Sequence, residues 1–171
     1  WVDLPDISSS TGSIQIQRGV GSSTSGAGAF GASINLNTLS ADGLKPFGEI
    51  SNSFGSFNTI KNTVRFGTGI LKNNWTFEGR LSQLQSEGYI DRASSDLKSY
   101  YLSGGYVGEK TMLKAVMFSG YEKTYQAWYG VPIRYLDSSD TGLRKHNPYT
   151  YENEVDNYDQ THYQLHFVQR V

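Results

Sequence analysis

Residues 60–71, IKNTVRFGTGIL, alternate strictly. Ile60, Asn62, Val64, Phe66, Thr68 and Ile70 fall on one side of an extended chain. Lys61, Thr63, Arg65, Gly67 and Gly69 fall on the other. Successive strand side chains point to opposite faces, so this is a β-strand with one mostly apolar face and one polar or bare face. A helix would need apolar residues at a period near 3.6, which this stretch lacks.

The same pattern extends outward in both directions. In Trp75–Ser86, Trp75, Phe77 and Leu81 oppose Thr76, Glu78, Arg80 and Ser82. Leu97–Val107 places Tyr100, Leu102 and Tyr106 on one face, and in Thr161–Val171 Tyr163, Leu165, Phe167 and Val171 oppose His162, Gln164, His166 and Arg170. With Phe47–Phe54 and Thr111–Glu122, and Phe57–Leu71 around the opening stretch, six strands are predicted, most about ten to twelve residues long. Globular strands are commonly about five or six residues, whereas a tilted membrane-crossing strand needs about nine to eleven. The connections sort by length. Lys72–Asn74 and Gly108–Lys110 are tight turns, Ser86–Ser95 is a medium loop, and Lys123–Tyr158 is a long one. Short turns at one end and long loops at the other are the arrangement of outer-membrane barrels. No helix is predicted.

Composition agrees with an antiparallel β protein. The 171 residues include twelve tyrosines, eight phenylalanines, three tryptophans and nineteen glycines. Mean hydropathy is only -0.48, which alternating barrel strands also produce. The net charge of -1 offers no general attraction to nucleic acid. Cysteine is absent, which excludes a disulfide scaffold and thiolate metal sites.

Residues 1–44 differ from the rest, being poor in charge and rich in serine and glycine, with a boundary near 40–46. Within them "RGVGSSTSGAGAFGASINL", residues 18–36, joins two short strand-like pieces through a glycine-rich loop. A phosphate-binding P-loop needs a lysine, and none precedes Lys45. A dinucleotide loop opens a helix, but Ala32–Asn37 alternates as a strand.

The segment Ile14–Gly19, the small-residue loop and Phe30–Thr38 together resemble the end of the plug domain in TonB-dependent outer-membrane receptors. The motif residues are Arg18, Gly19, Gly28, Phe30, Gly31 and Asn35. Val20 stands where many members have proline, and Phe30 where many have tyrosine. Ser86–Asp96, Gln126–Pro132, Asp156–Tyr158 and His162–Leu165 are similar to one branch of these receptors. The resemblance implies that residues 1–44 are the C-terminal part of a plug domain. Residues 45–171 are then the N-terminal strands of a transmembrane β-barrel, and the chain is a fragment of a longer protein. It implies an outer-membrane location in a Gram-negative bacterium and import of a scarce nutrient: siderophore-iron, haem, cobalamin, glycan or peptide. The implied partners are the TonB energy-transducing complex, outer-membrane lipid and a surface lipoprotein. In such a barrel Val64, Phe66, Phe77, Leu81, Leu165 and Phe167 face lipid. Arg65, Glu78, Arg80, His162, Gln164 and His166 face the lumen, where Glu78 and Arg80 either hold the plug through Arg18 or form an exposed pair on the wall, worth little energetically.

His162 and His166 lie about 13 Å apart on a strand and cannot share a metal ion. The acidic run Glu152–Asp159 lacks the glycine of an EF-hand and reads as a solvated loop. Tyr125, Trp128, Tyr129, Tyr135, Tyr149 and Tyr151 crowd the long loop as candidate ligand or partner contacts, or else as residues that pack the loop against itself or sit at the lipid interface. No nucleophile–base set stands out, so neither an enzyme nor a cofactor is expected. The competing expectation is a soluble β-sandwich binding or adhesion module, with the apolar faces packed as its core.

Overall fold

The computed structural model describes residues 4–19, 31–38 and 45–171. It is an all-β protein. After a 3-10 turn at Ile7–Ser10, strands β1 (Thr11–Arg18) and β2 (Ala32–Thr38) form an antiparallel pair. Six further strands make one sheet: β3 (Phe47–Gly55), β4 (Thr59–Gly67), β5 (Trp75–Ser86), β6 (Ser95–Val107), β7 (Thr111–Tyr125) and β8 (Val155–Gln169). Their order in space is their order in sequence, and each pairs antiparallel with the next. The connections at 68–74 and 108–110 therefore lie at one end, and those at 56–58, 87–94 and 126–154 at the other.

The register aligns the faces as the alternation requires. Arg65, Arg80, Tyr101, Phe118 and His162 stand in one row across β4 to β8. Val64, Leu81, Tyr100, Ser119 and Thr161 stand in the next, on the opposite face. On the apolar face two phenylalanine rings lie over glycines of the adjoining strand. A Cβ on Gly79 would fall 2.5 Å from the Phe66 ring, and one on Gly104 would fall 3.3 Å from Phe77. The aromatic ring thus fills the space that its partner glycine leaves open. Trp75 packs on Phe77 and Tyr106 near the short-turn end.

Several boundaries differ from the sequence expectation. The fourth strand stops at Gly67 rather than Leu71, because Gly69 takes a left-handed φ of 60° and turns the chain. Phe57, expected in a strand, occupies the hairpin turn. It and Asn58 have φ of 59° and 53°, and the Thr59 amide donates to the Ser56 carbonyl, as in a type I′ turn. The last strand starts at Val155, six residues before Thr161, so most of the acidic run, from Val155 to Asp159, is strand rather than loop. β7 lengthens to match and ends at Tyr125. Inside the long loop are a four-residue helix, Ile133–Leu136, and a 3-10 turn, Thr141–Lys145, neither of which was predicted.

Candidate functional site

The sheet is covered on the polar face of its central strands and bare on its apolar face. Thr63, Thr76, Glu78, Arg80, Ser82 and Ser99 are buried, while Ile50, Phe66, Leu81, Tyr163 and Leu165 are exposed. The segment Leu4–Ser10 lies against the polar face. Tyr101, only 2% exposed, sits beneath it beside Leu4, Ile7 and Phe118.

Asp6 is the centre of that contact. Its carboxylate accepts from Lys61 Nζ at 2.6 Å, Arg80 Nη1 at 3.0 Å, Thr63 Oγ1 at 3.3 Å and Ser9 Oγ at 2.6 Å. Arg80 also donates from Nε to Ser10 Oγ (2.7 Å) and from Nη1 to Ser99 Oγ (2.9 Å). The side chains of Asp6 and Arg80 are 7% and 4% exposed, so this is a buried ion pair with its remaining polar positions largely satisfied. Asp6 itself has a φ of 58°, a left-handed conformation that non-glycine residues seldom adopt.

Burial alone would raise the Asp6 pKa. The hydrogen bonds from Lys61 and Ser9 and the charge of Arg80 outweigh it and hold the carboxyl at about 2, against an ordinary 3.8. A carboxyl with a depressed folded-state pKa stabilises the docked segment fully above its unfolded value, near pH 4, and loses that contribution as pH falls through about 2. The expected loss is about 2 kcal/mol. It is measured as faster amide exchange at Ile7 and Ser9 between pH 4 and pH 2, after correction for the intrinsic rate. Unchanged protection across that window contradicts it.

The other sequence-predicted residues divide. Arg18 is exposed and is not the partner of Glu78 or Arg80; two cations cannot pair, and Arg80 takes Asp6 instead. Gly19 ends β1 with a left-handed φ of 81°, Asn35 pairs with Gln15, and Gly31 accepts from the Gly19 amide. Gly28 and Phe30 lie outside the described residues. Arg65 pairs with the largely exposed Glu49 at 3.4 Å and sits over the Phe47 ring. Glu78 is buried, and its Oε2 has no hydrogen-bond partner among the described residues. His162 stacks on Phe118 at 4.7 Å, and His166 Nε2 lies 3.4 Å from Gln164 Oε1. Asp6 was missed because one sequence carries no sign that it meets residues more than fifty positions away.

At the long-loop end a second polar knot ties two loops together. Asn147 is 2% exposed. Its Nδ2 donates to the Asp91 and Gln126 carbonyls at 2.9 and 3.0 Å, and its Oδ1 accepts from the Tyr149 amide at 3.1 Å. Arg92, with a φ of 65°, donates to the carbonyls of Asn147 and Tyr149. The Asp91 amide donates to the Lys145 carbonyl. The loop aromatics are thereby fixed in place. Tyr129 packs on Tyr149 at 5.4 Å, Tyr135 meets His146 edge-on, and the Tyr125 hydroxyl donates to the Tyr151 carbonyl. Trp128, Tyr129 and Tyr151 remain exposed, at 72%, 64% and 78%. Asn147→Ala removes a buried amide that bridges two part-buried carbonyls and is expected to loosen the loop by about 1–3 kcal/mol. The check is limited proteolysis within 126–154, which should accelerate at least several-fold while the sheet stays protected. Equal cleavage rates contradict it.

No family model and no curated protein sequence matches this chain.

Proposed function

We propose that the chain belongs to a TonB-dependent outer-membrane receptor that imports a scarce nutrient in a Gram-negative bacterium. Residues 1–44 form the end of its plug, and 45–171 form barrel strands. The observation that carries this reading is the inverted sheet: its apolar face is bare, while the polar face of its central strands is covered. In water such a face is a liability, while in a bilayer it is the surface that lipid requires. Strands β5 to β8, of 12 to 15 residues, are long enough to cross. A sandwich module would bury the faces that here are open.

In this reading the docked N-terminal segment is plug against wall, and Lys72–Asn74 and Gly108–Lys110 are periplasmic. The loop carrying Trp128, Tyr129 and Tyr151 faces outward, toward a nutrient or a surface lipoprotein. TonB delivers the energy that shifts the plug. The proposed work is binding and passage rather than covalent chemistry.

Single cysteines test the topology, since the chain has none of its own. In intact cells an impermeant thiol reagent should label Ser139→Cys and miss Asn73→Cys. Labelling of Asn73→Cys but not Ser139→Cys refutes the orientation. Release of the protein by salt without detergent refutes the membrane reading altogether.

A further inference from the structure

We infer that the apolar face of β5 to β8 carries a site for one phosphatidylethanolamine molecule, with the headgroup between Lys98 and Asp159 and an acyl chain along β7. The inference rests on the membrane reading proposed above and names the lipid that this face selects. Two grooves follow one another on the face. The lower, of about 670 Å³, lies between Phe77 and Leu102 on one side and Tyr163 and Leu165 on the other. Ala115 is its floor. Phe77, Gly104, Ala115 and Leu165 stand in one row, and the Phe77 ring already covers Gly104, so the small side chain of Ala115 leaves the gap. The upper groove, of about 590 Å³, begins at Leu81, Tyr100 and Ser119 and ends at Lys98, Tyr121 and Asp159. Ala115, Met117, Ser119 and Tyr121 alternate on the same face of β7, so that strand leads from the lower groove into the upper.

The face changes character where the grooves meet. Val64, Leu81 and Tyr100 stand in the last mostly apolar row, and the next row on that face is Asn62, Gln83, Lys98, Tyr121 and Asp159. Tyrosine is a residue that sits where hydrocarbon gives way to headgroups. Lys98 Nζ lies 5.7 Å from the centre of the Tyr121 ring and 3.2 Å from Asp96, and its side chain is 52% exposed. Asp159, exposed on the other side of Tyr121, is in no ion pair among the described residues. One row further on stand Gln85, Asp96, Lys123 and Asn157. The charges of the two rows, Lys98 and Lys123 against Asp96 and Asp159, sum to zero. A polyanionic headgroup finds no net attraction there, whereas one phosphate joined to one ammonium matches the arrangement. Lys98 and Asp159 are two strands apart, about 10 Å between backbones, which leaves room for both groups between their side chains. The phosphate goes to Lys98 and the ammonium to Asp159. A trimethylated amine has no N–H to give that carboxylate, which sets phosphatidylethanolamine above phosphatidylcholine.

The test uses the intact protein in detergent solution, given equal amounts of phosphatidylethanolamine, phosphatidylcholine and phosphatidylglycerol. Native mass spectrometry reads which lipid stays bound. Phosphatidylethanolamine should be retained over both others. Asp159→Asn should lower that preference by about two- to fivefold, the worth of one exposed ion pair. Ala115→Phe fills the lower groove and should reduce retention of all three lipids. Ile50→Phe, on the same face but outside both grooves, should leave retention unchanged. Asp159 and Ala115 are exposed, so neither substitution disturbs the packing of the sheet. Equal retention of either other lipid by the unsubstituted protein overturns the inference. So does an Ala115→Phe variant that keeps lipid as well as Ile50→Phe does. Neither result touches the membrane reading, which fails separately if salt alone releases the protein.

Discussion

Arg80→Met is expected to destabilise the protein by about 3–5 kcal/mol, the usual cost of removing one partner from a buried ion pair. The guanidinium joins Asp6, Ser10 and Ser99, and its removal takes that partner from two buried hydroxyls and leaves a buried carboxylate without its most buried cation. Lys61 still faces the Asp6 carboxylate at 2.6 Å, which places the cost toward the lower end. The neighbouring Arg65 supplies the control. It stands in the same row of the same face, yet its partner Glu49 is 53% exposed. Arg65→Met should cost less than about 1 kcal/mol. Urea midpoints of the two variants in detergent measure the difference. Equal midpoints would show that the Asp6–Arg80 contact carries no special share of the stability.

The second large effect separates the two faces within one strand. Gln164 and Leu165 are adjacent in β8 and point oppositely, toward Val116 on the polar side and Ala115 on the apolar side. In a bilayer Leu165→Arg should cost about 2–4 kcal/mol, whereas Gln164→Arg should be tolerated. In water the order changes. Leu165 is already 72% exposed, and a surface arginine there would be close to neutral. Refolding yield and urea midpoint in lipid vesicles read the contrast directly. A neutral Leu165→Arg would remove the main support for the proposed outer-membrane role.

Those two faces were legible in the sequence because burial on one side and exposure on the other leave a period of two. Val64 against Arg65 and Phe77 against Glu78 could be assigned without coordinates. The signal fails where both faces are polar. Asp156, Asn157 and Asp159 extend β8 beyond its apolar stretch, and nothing in their alternation marks them as strand; only the partner residues of β7 do. Phe57 misled for the opposite reason: an aromatic residue beside alternating ones reads as strand, yet here it holds a left-handed turn. Its ring rests on Tyr89 at 5.5 Å and its carbonyl accepts from Glu87. Among the candidate site residues, the loop tyrosines and Trp128 were visible by composition. Asn147 and Asp6, which fasten the long loop and the N-terminal segment, were not. Each acts through partners distant in sequence, and neither sits in a pattern.

The strictly sequential order of β3 to β8 has a consequence for how the chain assembles. Each strand joins the one just made, so contacts are local and most loop closures are short, which favours rapid stepwise growth. Joining β8 requires closing the 126–154 loop, the longest in the sheet, at only modest extra entropy. The N-terminal segment is different. Asp6 meets Lys61 and Arg80 only after β4 and β5 have paired, because neither strand alone presents both cations on one face. The segment around Asp6 therefore docks only after the strands that receive it have paired.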